Sequence, residues 1–410
     1  MTDPKQTTGP EPASAKPAAA LGVTALALGV DMFLYGALVP LLPTLPAVDG
    51  SAIASGALFA AYAIAMLAAI PPVGVWVDRS GPRTPFVAGL VGLAAATVLF
   101  ALATGAGGTS GLIILCAARA AQGVAAAISW TAGLSLIAAT HPPAQRGRAM
   151  GTALSAIGAG LLLGPAAGGL LADSFGPRAP FLLVAVLAVA DAAARVLLIR
   201  RLPAPERTGP AYRRLATAPR FPLLVTLTVL GAVAISFPEP VLPLHLFDLG
   251  LGGTGIGLAF AAAALAGSVA APLGGMIADR IEPRRVAAAG ALVTAAGLVL
   301  AGRGSVAFSI TGLVLVALGA QLILTPTLVL VGTLAEHVQP PAYGAAYALY
   351  NLAYTGGLAV APIAAGSLAA TMSIPAATIV VAGCALLVSG VLARPVRGVV
   401  EPLPRTPGSA

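Results

Sequence analysis

The sequence predicts an all-α membrane protein of twelve transmembrane helices in two pseudo-symmetric six-helix bundles. Composition, the length of the apolar runs and an internal repeat lead there. Of 410 residues, 58% are apolar before the 49 glycines are counted, and 9% are charged, against about 25% in soluble domains. The 22 basic and 14 acidic side chains cannot clothe a water-soluble surface of this size. A soluble enzyme, a nucleic-acid binder and a disordered chain are excluded. The net charge of +8 sits in a few loops and so does not indicate a polyanionic partner. Cys116 and Cys384 lie within apolar runs, so neither a disulfide framework nor a metal site is implied.

A helix needs about 20 apolar residues to cross ~30 Å of hydrocarbon. Twelve stretches qualify, at 18–42, 52–77, 84–105, 111–139, 147–172, 180–199, 221–247, 253–278, 285–302, 306–334, 342–370 and 375–394. None alternates polar and apolar residues as membrane strands do. The first run is too long and wrongly flanked for a removed signal peptide. Residues 1–17, rich in Pro and Ala, are expected to be a disordered tail, and 395–410 a second tail.

Orientation follows from Lys and Arg, which resist translocation. With the N-terminus in the cytoplasm, 18 of the 22 basic residues fall on that side. They are Lys5, Lys16, Arg79, Arg83, Arg146, Arg148, six arginines between Arg200 and Arg220, Arg280, Arg284, Arg285, Arg394, Arg397 and Arg405. Arg178 and Arg303 fall on the other side, and Arg119 and Arg195 within spans. Both ends are therefore expected in the cytoplasm.

Residues 200–220, with Pro203, Pro205, Pro210 and Pro219, form the one long polar interruption and read as a cytoplasmic linker between bundles 18–199 and 221–394. A repeat supports the division: Gly74-Val-Trp-Val-Asp78-Arg79 recurs as Gly275-Met-Ile-Ala-Asp279-Arg280, 201 residues later. Parallel repeats place a binding site between the bundles, near the bilayer midplane.

In the loop after the second span, Gly81 permits a tight reversal, and Arg79 and Arg83 anchor the cytoplasmic side. Asp78 can sit against the positive N-terminal end of the eleventh helix as a latch between bundles. The plainer alternative is a charged turn. Arg119-Ala-Ala-Gln122-Gly123 puts a guanidinium deep in the fourth span, which costs several kcal/mol unless it is paired or hydrated. Arg119 is therefore expected to face the cavity and set the protonation of a nearby carboxyl, the alternative being pairing with helix carbonyls. In the fifth span Gly160, Gly164 and Gly168 bare one helix face for close packing, beside Gly169, and Pro165 bends the helix.

These motifs together resemble the major facilitator superfamily over essentially the whole chain. The loop from Gly74 to Arg83 is similar to that superfamily's signature between helices two and three, and Arg119-x-x-Gln122-Gly123 to its fourth-helix motif. Gly164-Pro165-Ala-Ala-Gly168-Gly169 resembles the motif that marks its antiporters. The resemblance implies the major facilitator fold and favours export.

Asp31 lies about 20 Å along the first span, near midplane, where an unpartnered carboxylate takes up a proton. Such a group can carry a proton one way and release it when an organic cation arrives. Tyr35 is one turn on, on the same face. Glu239 lies in the seventh span between Pro238 and Pro240, where irregular backbone is tolerated along protein or a wet cavity. Either acid could instead pair with Arg119. Asp191 and Arg195, one turn apart in the sixth span, are expected to neutralise each other. Tyr347, Tyr350, Asn351 and Tyr354 share one face of the eleventh span, and an aromatic face beside a carboxylate suits an amphipathic cation.

Asp31-Met-Phe-Leu-Tyr35 through Pro43, Arg146 through Gly151, Ala179-Pro-Phe-Leu182 and Glu239-Pro-Val-Leu-Pro243 resemble the drug:proton antiporter branch that includes the vesicular monoamine transporters. That resemblance implies amine recognition and proton coupling by Asp31 and Glu239, with Arg119 in the cavity. The chain departs from the branch at Tyr62, where a helix-two lysine stands, and at Asn351, where an acidic residue stands.

The expectation is a proton-coupled antiporter exporting amphipathic, cationic small molecules by alternating access. Asp31, Tyr35, Tyr62, Gln122, Glu239, Tyr347, Tyr350, Asn351 and Tyr354 would contact the cargo. The proton is the coupling ion, and no cofactor or metal is expected. A monomer in a plasma membrane is expected, and the 20 Arg against 2 Lys suggest a bacterial inner membrane. A symporter or uniporter of a neutral metabolite is the alternative. A receptor or scaffold would need a larger soluble portion than a ~20-residue loop. Enzymatic activity has no Ser-His-acid set or phosphate loop to support it.

Overall fold

The computed structural model describes residues 17–198, 212–218, 220–278, 280–336 and 343–394. The expected tails lie outside the described residues, as do Asp279 and most of the expected linker. The first bundle contains α1 (Pro17–Ala37), α2 (Ala52–Ser80), α3 (Arg83–Ala103), α4 (Gly108–Thr140), α5 (Pro143–Phe175) and α6 (Ala179–Leu198). A five-residue helix, α7 (Tyr212–Ala216), precedes the second. That bundle contains α8 (Phe221–Ser236), α9 (Leu242–Asp248), α10 (Gly253–Ala278), α11 (Pro283–Ala301), α12 (Val306–Glu336), α13 (Tyr343–Met372) and α14 (Ile374–Ala393). Among the described residues, eleven helices are long and apolar enough to cross a membrane.

The seventh span is broken at the irregular backbone expected around Pro238 and Pro240. Instead of one helix over 221–247, the 16-residue α8 stops at Ser236 and the 7-residue α9 resumes at Leu242. Pro238 and Pro240 lack the amide hydrogens a continuous helix needs. The Pro238 carbonyl accepts instead from the amides of Val241 (3.2 Å) and Leu242 (2.9 Å), closing a turn that carries Glu239. Prolines act similarly after α1, where a 3-10 turn (Val39–Thr44) containing Pro40 and Pro43 replaces the expected continuation to residue 42.

In the first bundle α1 packs on α4, α5 and α6, and α4 on α2 and α3; in the second α12 packs on α8, α10 and α11. The small-residue face of α5 sets its approach to α1. A Cβ on Gly160 would stand 2.8 Å from Met32 Cβ, one on Gly164 3.0 Å from Phe33 Cα, and one on Gly168 2.7 Å from Ala37 Cα. Side chains there would push α1 away and displace Asp31, which α1 carries. The bare face therefore serves placement as well as packing.

The bundles meet through α2 against α13 and α5 against α10. Gly56 and Ala52 of α2 touch Pro362 and Gly366 of α13, while Pro165 and Gly169 of α5 touch Gly257 and Gly253 of α10. These residues lie toward the ends remote from the Arg-bearing loops. There Asp173 Oδ2 accepts from the Thr254 amide (2.8 Å) and hydroxyl (2.6 Å), joining α5 to the start of α10. At the opposite, basic end, Asp78 and Arg79 are exposed, as are Trp76, Met276 and Tyr347. Asp78 forms no ion pair or hydrogen bond among the described residues. Residues 337–342, which precede α13 on that side, lie outside the described residues.

Asp191 and Arg195 also differ from expectation. Both are fully buried in α6, yet none of their side-chain polar atoms has a hydrogen-bond partner among the described residues. The Arg195 guanidinium lies over the Phe86 ring of α3, 5.3 Å from its centroid. The two side chains stay within electrostatic reach of each other, with no ion pair at contact distance among the described residues.

Candidate functional site

Asp31 and Glu239 come from different bundles, each bonded to a tyrosine, and the two tyrosines touch each other. Asp31 is 1% exposed; the Tyr62 hydroxyl donates to its Oδ2 at 2.7 Å. Glu239 is 7% exposed; the Tyr35 hydroxyl donates to its Oε2 at 2.6 Å. That second bond runs from α1 to the turn between α8 and α9 and so crosses between the bundles. A hydroxyl bonded to a carboxylate is charge-assisted and about twice as strong as a neutral pair.

The tyrosine rings pack edge to face with centroids 5.5 Å apart, and Phe59 packs against Tyr35 at 5.3 Å. Arg119 lies over both, 4.6 Å from the Tyr62 centroid and 5.7 Å from that of Tyr35. Its Nε donates to the Leu58 carbonyl (3.4 Å) and Nη1 to Gln122 Oε1 (2.9 Å), while Nη2 has no partner. The guanidinium is 1% exposed, as buried as Asp31, and lies within electrostatic reach of both acids. Neither acid forms an ion pair with it among the described residues. The two tyrosine rings lie between the guanidinium and the two carboxyls, which remain within its electrostatic reach.

Gln122 departs from its expected role as a cargo contact. It is fully buried, and its remaining amide donor goes to Thr97 Oγ1 at 3.2 Å. Three residues from Arg119 on one helix, it is placed to hold the guanidinium. Gly123 lets α4 lie against α2, since a Cβ there would stand 3.1 Å from Tyr62 Cα.

From the second bundle Tyr354 is within electrostatic reach of Glu239 and stacks on Tyr350 with centroids 6.3 Å apart. Tyr350 and Asn351 are half-buried. Tyr347 is exposed, one turn further toward the basic end. The structure thus gathers Asp31, Tyr35, Tyr62, Arg119 and Glu239 into one contact network. Of the α13 residues, Tyr354 is tied to that network through Glu239 and Tyr350 to Tyr354 by stacking.

Sequence reasoning missed Trp130. Its indole Nε1–H donates to Asp31 Oδ2 at 2.8 Å, beside the Tyr62 hydroxyl. Oδ1 of the same carboxyl is buried and has no partner. The signal was position: Trp130 follows Arg119 by eleven residues, close to three helical turns, which puts both on one face of α4.

Comparison with known proteins agrees with this architecture. The family model for the Major Facilitator Superfamily matches residues 24–238 and 223–410. The chromaffin granule amine transporter of Homo sapiens is 29% identical over 334 residues, covering 78% of this chain and 61% of that protein. The synaptic vesicular amine transporter of Mus musculus is 26% identical over 328 residues, covering 78% and 62%. The chain thus spans about three fifths of the length of these relatives. Among solved structures, a bacterial homologue of the human lysosomal transporter Spinster, inward-facing and unoccupied, aligns with a TM-score of 0.72. At 16% identity, over 92% of this chain and 96% of that one, the likeness is one of fold.

Proposed function

The chain belongs to the Major Facilitator Superfamily, and from that premise we propose that it is a proton-coupled antiporter exporting amphipathic organic cations by alternating access. The observation that carries the reading is the buried pair Asp31 and Glu239, one from each bundle, linked through Tyr35 and Tyr62 and with no ion pair to Arg119 among the described residues. Similarity to amine transporters supports an aminergic cargo. With the basic loops in the cytoplasm, the contacts of α2 with α13 and α5 with α10 close the outer side. The conformation described is then the inward-facing one of a plasma-membrane protein.

In this scheme Asp31 is the counter-ion of the cargo. A proton and a cation compete for the same carboxylate, so protonation from the outer side expels cargo and deprotonation on the cytoplasmic side readmits it. Glu239 links that exchange to movement. Ionised, it holds the bundles together through a charge-assisted bond from Tyr35; protonated, it retains only a neutral one. The proton state of Glu239 therefore biases which conformation is populated.

Uptake of a fluorescent cation into proteoliposomes with an acidic interior tests the reading. One-for-one exchange across a gradient of about one pH unit sustains roughly tenfold accumulation, since that gradient is worth 1.36 kcal/mol. Accumulation is expected to collapse when the gradient is dissipated. Uptake indifferent to the gradient would exclude proton coupling.

A further inference from the structure

The carboxyl of Asp31 is held asymmetrically. Tyr62 Oη and Trp130 Nε1 both donate to Oδ2, at 2.7 and 2.8 Å, and Oδ1 has no hydrogen bond. A carboxylate offers about four lone-pair directions. Two donors from different helices occupy one oxygen and fix the rotation of the group, so the free acceptor capacity is concentrated on Oδ1. Both donors are neutral and both are aromatic. They stabilise the ionised group without cancelling its charge.

Few other ionisable groups face it within its buried setting. α1 is packed by α4, α5 and α6, and α2 reaches Asp31 through Tyr62. From α4 comes Arg119, behind the tyrosine rings; Tyr35 of α1 is engaged with Glu239. α5 has no ionisable residue between Ala149 and Ala172, nor α6 between Ala179 and Ala190. Tyr62 and Trp130 are therefore the groups that hold the ionised form by direct contact.

We propose that Trp130 is a positioning residue that, with Tyr62, presents Asp31 Oδ1 as a single hydrogen-bond acceptor, selecting cations that bear an N–H over permanently charged quaternary ammonium ions. The inference rests on the exchange reading above and adds to it the chemistry of the cargo's head group. A protonated amine gains both charge attraction and a hydrogen bond at Oδ1, whereas a quaternary nitrogen gains charge attraction alone. Hydrogen bonds to charged groups make that difference about tenfold or more in affinity.

The test uses the full chain in proteoliposomes with a fluorescent tertiary amine and its N-methylated quaternary analogue. The wild-type protein is expected to show a KM about tenfold lower for the amine at equal gradient. Trp130→Phe keeps a ring and removes the donor. Loss of a bond to the ionised form lets protons compete better, so KM for the amine rises about tenfold near pH 6, and the rise shrinks toward about pH 8.5. Trp130→His, which retains a ring N–H, is expected to restore much of the difference. A fold defect would change activity equally at all pH values. Equal KM for the two wild-type substrates overturns the proposal, as does a pH-independent effect of Trp130→Phe. Either result, with gradient-driven uptake intact in the wild-type protein, leaves antiport standing; loss of gradient dependence in the wild-type protein is the separate failure of that reading. Where Trp130→Phe gives no folded protein, the amine and quaternary comparison in the wild-type protein decides.

Discussion

Asp31→Asn is expected to lower gradient-driven uptake of a cationic substrate by about 100-fold, because leaving a desolvated cation without its counter-charge costs about 3 kcal/mol or more. The substitution is close to isosteric. The amide oxygen can still accept from Tyr62 and Trp130, so the bonds that anchor α1 to α2 and α4 survive. What disappears is the negative charge, and with it both the attraction for cargo and the competition between cargo and proton. The measurement is initial uptake rate in proteoliposomes, with binding of the same probe to purified protein as a second readout. Because Arg119 is buried under Tyr35 and Tyr62 rather than paired with Asp31, removing the acid leaves no newly orphaned ion pair. A folded variant with intact uptake would exclude Asp31 as the counter-ion.

Glu239→Gln is expected to separate coupling from binding. Glutamine can still accept from the Tyr35 hydroxyl, so the bond between bundles persists in a neutral form that no longer responds to protons. Gradient-driven accumulation is expected to fall about tenfold, to the level of equilibration, since the ~1.4 kcal/mol per pH unit no longer reaches the conformational change. Exchange of labelled for unlabelled substrate at equal pH should change only a few-fold. Counterflow lost in parallel with accumulation would place Glu239 in cargo binding rather than coupling.

The span pattern was legible in the sequence because hydrocarbon thickness dictates run length, and the break at Glu239 was legible because Pro238 and Pro240 cannot donate. The two acids were legible through the rarity of carboxyls at such depth. What the sequence hid were choices between partners. Arg119 had carboxyls, carbonyls and rings available, and the rings of Tyr35 and Tyr62, set by the crossing of α1 and α2, prevailed. Gln122 was visible as a polar residue in a span, yet its spacing of three from Arg119 already offered a structural partner. The i, i+4 spacing of Asp191 and Arg195 put them in electrostatic reach of each other, but not the contact of the guanidinium with Phe86 of another helix. Trp130 was passed over in the sequence; only the arrangement of α1 against α4 reveals its donor aimed at Asp31. The Asp78 latch is a property of a conformational state, which a one-dimensional pattern does not specify.

Proton release on cargo binding is the most direct measurement of exchange at the buried acids. Purified protein in weakly buffered detergent solution, with a pH indicator present, is titrated with a protonated amine at a pH where the site is partly protonated. Release approaching about one proton per bound amine, absent in Asp31→Asn, is the expected result. Saturable binding of the amine with no proton released would contradict exchange at Asp31 and leave a transporter that moves its cargo by some other coupling.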